Sequence, residues 1–278
     1  MIKKVIRYFL VCLAGLVIAA PVIITVLGSF ISKEAMQLHF GGLFDYTAAW
    51  SSLTVGEFLD EISLEQYKTI LIQSPDYLFR FWRSLWLTVP IIIGQLCLSG
   101  LAAYAFSQSK KRIMSLIFFL YIFLLLLPSQ VTVIPNYLMA KQLNMTDTDW
   151  SIWLSGITSP FSVYLLTRAM NRIPTEILEA GRCDGATEKR ILFSIVIPIC
   201  KGQITVCAIL LFAEYWNMVE LPIIMFSNVL SYPLSVYLSR IQEEDIGIAF
   251  AASVIYMIPA IFVFMYGEED LLQLEVKQ

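Results

Sequence analysis

Leu85–Gln108 reads LWLTVPIIIGQLCLSGLAAYAFSQ, 24 residues without a charge. Ser109-Lys110-Lys111-Arg112 interrupts the run. Ile113–Ala140, IMSLIFFLYIFLLLLPSQVTVIPNYLMA, then continues for 28 more uncharged residues. A helix needs about 20 apolar residues to cross the hydrocarbon of a bilayer. Both runs meet that length, and three consecutive cations between them mark a short loop on the cytoplasmic side. Two spans joined by a basic turn predict an all-α polytopic membrane protein.

The flanking sequence repeats the pattern. Tyr8–Ser32 is 25 residues without a charge, Trp150–Thr167 is 18, and Ile246–Gly267 is 22. Of 278 residues, 58% are hydrophobic and 15% charged, against about a quarter charged in soluble domains. A soluble enzyme, a disordered chain and a secreted disulfide scaffold are excluded. The five cysteines form no CxxC, so they suggest neither a disulfide framework nor a zinc site. A net charge of −3 offers no basic excess for nucleic acid.

Six spans follow. The first occupies residues 1–32. Lys3, Lys4 and Arg7 ahead of an apolar run resemble a signal peptide, but the run continues to Phe30 and Pro21 follows Ala19-Ala20. It reads as an uncleaved span. Residues 33–83 form a polar extracytoplasmic cap, with His39 a surface residue because one histidine makes no metal site. A core of 84–267 carries spans near 84–107, 113–135, 150–168, 201–220 and 246–267, with Pro128 and Pro135 kinking the third. Residues 268–278 are a cytoplasmic tail. With the N-terminus inside, 13 of the 19 Lys and Arg residues fall on the cytoplasmic side. Both termini are therefore expected inside.

The most charged stretch beside the membrane is Arg168–Lys201. Within it, Pro174 suits the start of a helix, and Glu176 and Glu179 suit its first turns. Ile177, Leu178 and Ala180 give that helix an apolar side. Asp184-Gly185 reads as its stop, glycine taking the left-handed conformation. A second short helix runs from Ala186 to Pro198. A rigid helix–turn–helix of this kind is suited to a partner's groove.

These residues resemble the EAA motif of ABC-importer membrane subunits: Glu-Ala-Ala, three residues, Gly, nine residues, Ile, one residue, Leu-Pro. Here Glu179-Ala180-Gly181 is followed by Arg182, Cys183, Asp184 and Gly185, and nine residues later by Ile195-Val196-Ile197-Pro198. Gly181 departs from alanine, loosening the helix by up to about 1 kcal/mol, and Ile197 departs from leucine. Leu101–Phe106, Ile134–Tyr137, Ser159–Phe161, Ile173-Pro174 and Tyr215–Asn217 also have counterparts in sugar-importer permeases, over roughly 80–265. The tail lacks the glycine-containing ending common there, which puts its usual contact with the ATPase interface in doubt.

The resemblance implies a type I ABC importer permease of the maltose-permease type in a bacterial cytoplasmic membrane. It implies a second homologous permease, two ATP-binding subunits holding ATP and Mg, an extracellular solute-binding protein, and surrounding lipid. Glu179, Ala180, Gly181, Arg182, Asp184, Gly185, Ala186 and Pro198 would couple to the ATPase. The solute is read as a sugar or oligosaccharide, with a non-sugar solute as the alternative.

Polar residues within spans have two readings. Gln95, Ser99, Thr132, Asn136 and Ser159 fit helix–helix hydrogen bonding, or solute contact for Asn136. Glu214, Tyr215, Trp216, Asn217 and Glu220 fit a sugar path, since ionisable groups at membrane depth face cavities. Tyr and Trp also favour the membrane interface. The sequence contains no HExxH, GxSxG or GxxxxGK[ST], so it offers no catalytic motif or P-loop. A membrane scaffold or an intramembrane enzyme are the remote alternatives.

Overall fold

The structure is a computed structural model and describes residues 2–32, 62–240 and 246–276. Most of the expected cap, with His39, lies outside the described residues, as do 241–245 and Lys277. The described residues are helical apart from loops and one isolated antiparallel bridge between Ile31 and Ile62.

The helices are α1 (Ile2–Gly28), α2 (Glu65–Lys68), α3 (Pro75–Gln108), α4 (Arg112–Leu125), α5 (Ser129–Gln142), α6 (Asp149–Ile157) and α7 (Pro160–Met170). They continue with α8 (Thr175–Cys183), α9 (Glu188–Ile199), α10 (Lys201–Trp216), α11 (Glu220–Met225), α12 (Leu234–Leu238) and α13 (Ile246–Val276). Among the described residues three stretches are long and apolar enough to cross a membrane: Ile6–Gly28, Asp76–Gln108 and Gly247–Glu268. Two bent pairs, α4 with α5 and α9 with α10, raise this to as many as five.

Prolines set the breaks. The run Ile113–Ala140 is two helices bent by 106°. Pro128 sits extended at φ −57°, ψ 140° between them. The run Trp150–Thr167 is likewise two helices, and Ser159 before Pro160 is extended at ψ 135°. A residue ahead of proline is driven out of the helical region, and proline then suits the first helical position.

The chain divides into two compact units. In the unit of Met1–Phe81 and Tyr237–Ile258, the end of α1 is pinned by Ser29 Oγ, 2.7 Å from the Tyr67 hydroxyl. Gln66 donates to the Ile31 carbonyl, and the Tyr77 hydroxyl donates to the Ala252 carbonyl at 2.7 Å.

The unit of Trp82–Val236 and Pro259–Gln278 has a core of Leu87, Ile91, Ile152, Leu166, Ile191 and Leu211, each at most 1% exposed. α3 and α6 cross on reciprocal glycines. A Cβ on Gly156 would lie 2.5 Å from Ile91 Cγ2, and one on Gly94 would lie 2.7 Å from Ile157 Cδ1. Small residues let membrane helices approach this closely, where dispersion replaces the missing hydrophobic drive. Phe106 joins the C-terminal end of α3 to α4, its ring 5.4 Å from Phe118 and 5.8 Å from Tyr121.

Candidate functional site

α8 and α9 are built by local chemistry. Pro174 caps α8 from an extended conformation, so the helix starts at Thr175, one position after the expected start. Proline has no N–H to leave unpaired there. Helix α8 ends at Cys183, and Gly185 takes φ +76°. The Gly185 N–H donates to the Arg182 carbonyl at 3.0 Å, and the Ala186 N–H to the Gly181 carbonyl at 3.0 Å. That pair of bonds is a Schellman ending, which closes the orphan carbonyls of the last turn.

α9 starts one turn later, with the Thr187 hydroxyl accepting from the Arg190 N–H. Its ladder widens over Leu192–Val196, where the Ile197 N–H reaches back to the Leu192 carbonyl. The widening immediately precedes Pro198, whose ring crowds the carbonyl four residues back.

The two faces of α8 differ. Leu178 and Gly181 are buried, while Ile177, Glu179, Ala180 and Asp184 are exposed. The expected apolar side is thus divided, because residues 177 and 178 lie about 100° apart on a helix. Gly181 does more than loosen α8. A Cβ there would stand 3.0 Å from Ile195 Cδ1 and 3.6 Å from Ile191 Cγ1, so glycine allows α8 to lie close on α9.

Arg182 turns toward the rest of the protein. Its Nε donates to Glu188 Oε1 at 2.8 Å and its Nη2 to Gln108 Oε1 at 2.9 Å. The Tyr104 hydroxyl donates to Glu188 Oε2. Sequence reasoning missed Tyr104, Gln108 and Glu188 as members of this site. The available signal was a cation and an anion six residues apart across a glycine turn.

The residues considered for a path separate. Trp216 is 1% exposed and stacks on Phe212 at 5.3 Å. Tyr215 is also buried, its hydroxyl donating to the Gly156 carbonyl at 3.2 Å, while Thr88 donates to the Tyr215 carbonyl. Glu214, Asn217 and Glu220 lie on the surface, and the Asn217 amide donates to the Ala213 carbonyl at 2.8 Å. Asn136 donates to Ser155 Oγ at 3.0 Å. Gln95 donates to Ser162 Oγ at 2.9 Å, both side chains fully buried, which joins α3 to α7.

At the other end of α3, Arg83 grips Asp149 with both terminal nitrogens, and the Trp86 indole N–H donates to Asp149 at 2.9 Å. Burial alone would push the Asp149 carboxyl up. The hydrogen bonds from Arg83 and Trp86 outweigh it and hold the carboxyl below the usual carboxylate range. Arg83 Nε also donates to the Ser231 carbonyl, which fastens the loop after α11. Among the described residues no cluster of His, Cys, Asp and Glu could hold a metal.

The family described as binding-protein-dependent transport system inner membrane component matches residues 73–267. The maltodextrin transport system permease protein MdxG of Bacillus subtilis is 25% identical over 281 residues, covering 97% of this chain and 93% of its own. The arabinooligosaccharides transport system permease protein AraQ of Halalkalibacterium halodurans is 23% identical over 208 residues, covering 74% and 75%. In a crystal structure of a bacterial ABC transporter involved in the import of the acidic polysaccharide alginate, one chain superposes with a TM-score of 0.80. That chain is 21% identical, and the match covers 96% of both.

Proposed function

The chain belongs to the family of binding-protein-dependent transport system inner membrane components, and from that premise we propose that it carries a sugar or oligosaccharide across a bacterial cytoplasmic membrane. It acts as one permease subunit of an ABC importer. A second homologous permease encloses the path with it. Two ATP-binding subunits, holding ATP and Mg, sit on the cytoplasmic side, and a solute-binding protein delivers from outside. The chain itself makes no covalent change to the solute.

The proposed topology has six spans with both termini cytoplasmic, a cap over 33–83, a core over 84–267 and a tail over 268–278. The fourth span is then α6 with α7, broken at Pro160. The loop 168–201 lies on the inner face. The exposed side of α8, with Glu179, Ala180 and Asp184, enters a cleft on an ATP-binding subunit, and Gly185, Ala186 and Pro198 fix its angle. Closure of the ATPase pair pulls this loop and rocks the permeases between inward- and outward-facing states. Asn136, Glu214, Asn217 and Glu220 face the solute, and Tyr215 and Trp216 form the wall behind them.

One observation carries this reading: a Schellman turn at Gly185 placing two short helices at the EAA spacing. Carbohydrate as the solute rests on the names of MdxG and AraQ. Pull-down of the tagged chain from membranes should recover an ATP-binding subunit and a second permease; recovery of neither refutes the reading. For the path, Asn217→Ala and Glu214→Gln should alter uptake affinity or rate in assembled transporter. Unchanged kinetics in both would remove these residues from the path.

A further inference from the structure

α8 and α9 are joined through the chain to α7 and α10, so a pull on the loop reaches those helices covalently. α3 has no such link. Its inner end meets the loop through Tyr104 and Gln108, which lie four residues apart and therefore on one face of the helix. Tyr104 holds Glu188 Oε2, and Gln108 accepts from Arg182 Nη2 at 2.9 Å. Arg182 Nε and Glu188 Oε1 close the ring at 2.8 Å across the glycine turn.

We infer that Arg182 and Glu188 are a latch that fastens the loop to α3, and are not part of the surface that grips an ATP-binding subunit. This rests on the transport reading above and refines it. The guanidinium already spends its Nε edge on Glu188 and its Nη2 on Gln108, and both Glu188 oxygens are engaged. A partner carboxylate taking the Nε edge would have to displace these bonds. Arg182 and Glu188 keep 39% and 58% side-chain exposure, so each single bond is weak and the set can release and re-form. Arg182, Glu188, Tyr104 and Gln108 are thus positioning residues: they recruit α3, a candidate span over Asp76–Gln108, into the movement of the loop.

The test uses the full complex in lipid nanodiscs. Hydrogen exchange of residues 101–112 is compared without nucleotide and with ATP, Mg and vanadate, and recovery of ATP-binding subunits is scored in parallel. In Arg182→Ala and in Tyr104→Phe combined with Gln108→Ala, the nucleotide-dependent difference should shrink about three- to tenfold, the worth of one or two solvent-exposed charged contacts. Subunit recovery should be unchanged. Exchanging the pair, Arg182→Glu with Glu188→Arg, should restore the response, since the Tyr104 hydroxyl and Gln108 amide can serve either sign. A full response in the Tyr104/Gln108 variant overturns the latch. So does loss of ATP-binding subunits in Arg182→Ala that the exchanged pair does not repair. If the unaltered chain recovers no ATP-binding subunit, the transport reading and the latch fall together.

Discussion

Gly185 isolates backbone strain from steric clash. Its φ is +76°, yet a Cβ built on it meets nothing within 4 Å. A Cβ there collides with no neighbour. The cost is the left-handed conformation itself, about 1–2 kcal/mol for an ordinary L-residue. Asparagine visits this region more readily, so Gly185→Asn should cost less than Gly185→Ala. A β-branched side chain is a genuine outlier there, so Gly185→Val should cost most. If the turn opens, both Schellman bonds, each 3.0 Å, are lost together and α8 loses its fixed angle to α9. A penalty near 1.4 kcal/mol lowers the ratio of closed to open turn about tenfold. The assay is ATP hydrolysed per solute imported by the reconstituted complex, with thermal unfolding as the measure of the penalty. The expected order of uncoupling is Asn, then Ala, then Val. Equal behaviour of Asn and Val, or normal coupled transport by an assembled Gly185→Val complex, would refute the dependence on a left-handed turn.

Two further perturbations probe the frame. Gly156→Ala places a Cβ 2.5 Å from Cγ2 of the fully buried, β-branched Ile91. It should destabilise by about 1–3 kcal/mol as overpacking. Combined with Ile91→Ala it should cost less than the sum of the two single changes, read from thermal unfolding in detergent. The depressed Asp149 carboxyl implies stability that is present above the ordinary carboxylate range and lost as pH falls through its lowered value. The melting temperature should fall toward acid pH more steeply in the unaltered protein than in Asp149→Asn, and parallel curves would show that the Arg83 grip does not contribute.

Some features of this protein are settled within a few residues of chain. Uncharged runs long enough for a bilayer and a glycine stop after Asp184 follow from side-chain solvation or a missing Cβ. Proline's presence was legible, but its consequence was not. The third run reads as one kinked span, and in the fold it bends by 106°, because the sequence does not say whether neighbours will hold the freed carbonyls of a continuous helix. The direction of each side chain was also hidden. Tyr215, Trp216 and Asn217 are adjacent in sequence, yet the first two pack inward and the third reaches the surface. Arg182 reads only as a charged residue of its own loop, and the fold alone sets Gln108, 74 positions earlier, beside it. The sequence by itself determined which runs are apolar and long enough for a bilayer and where glycine stops a helix, since those are local matters of backbone and solvation. Tertiary structure alone decided which face of each helix is covered, because that depends on partners brought from distant parts of the chain.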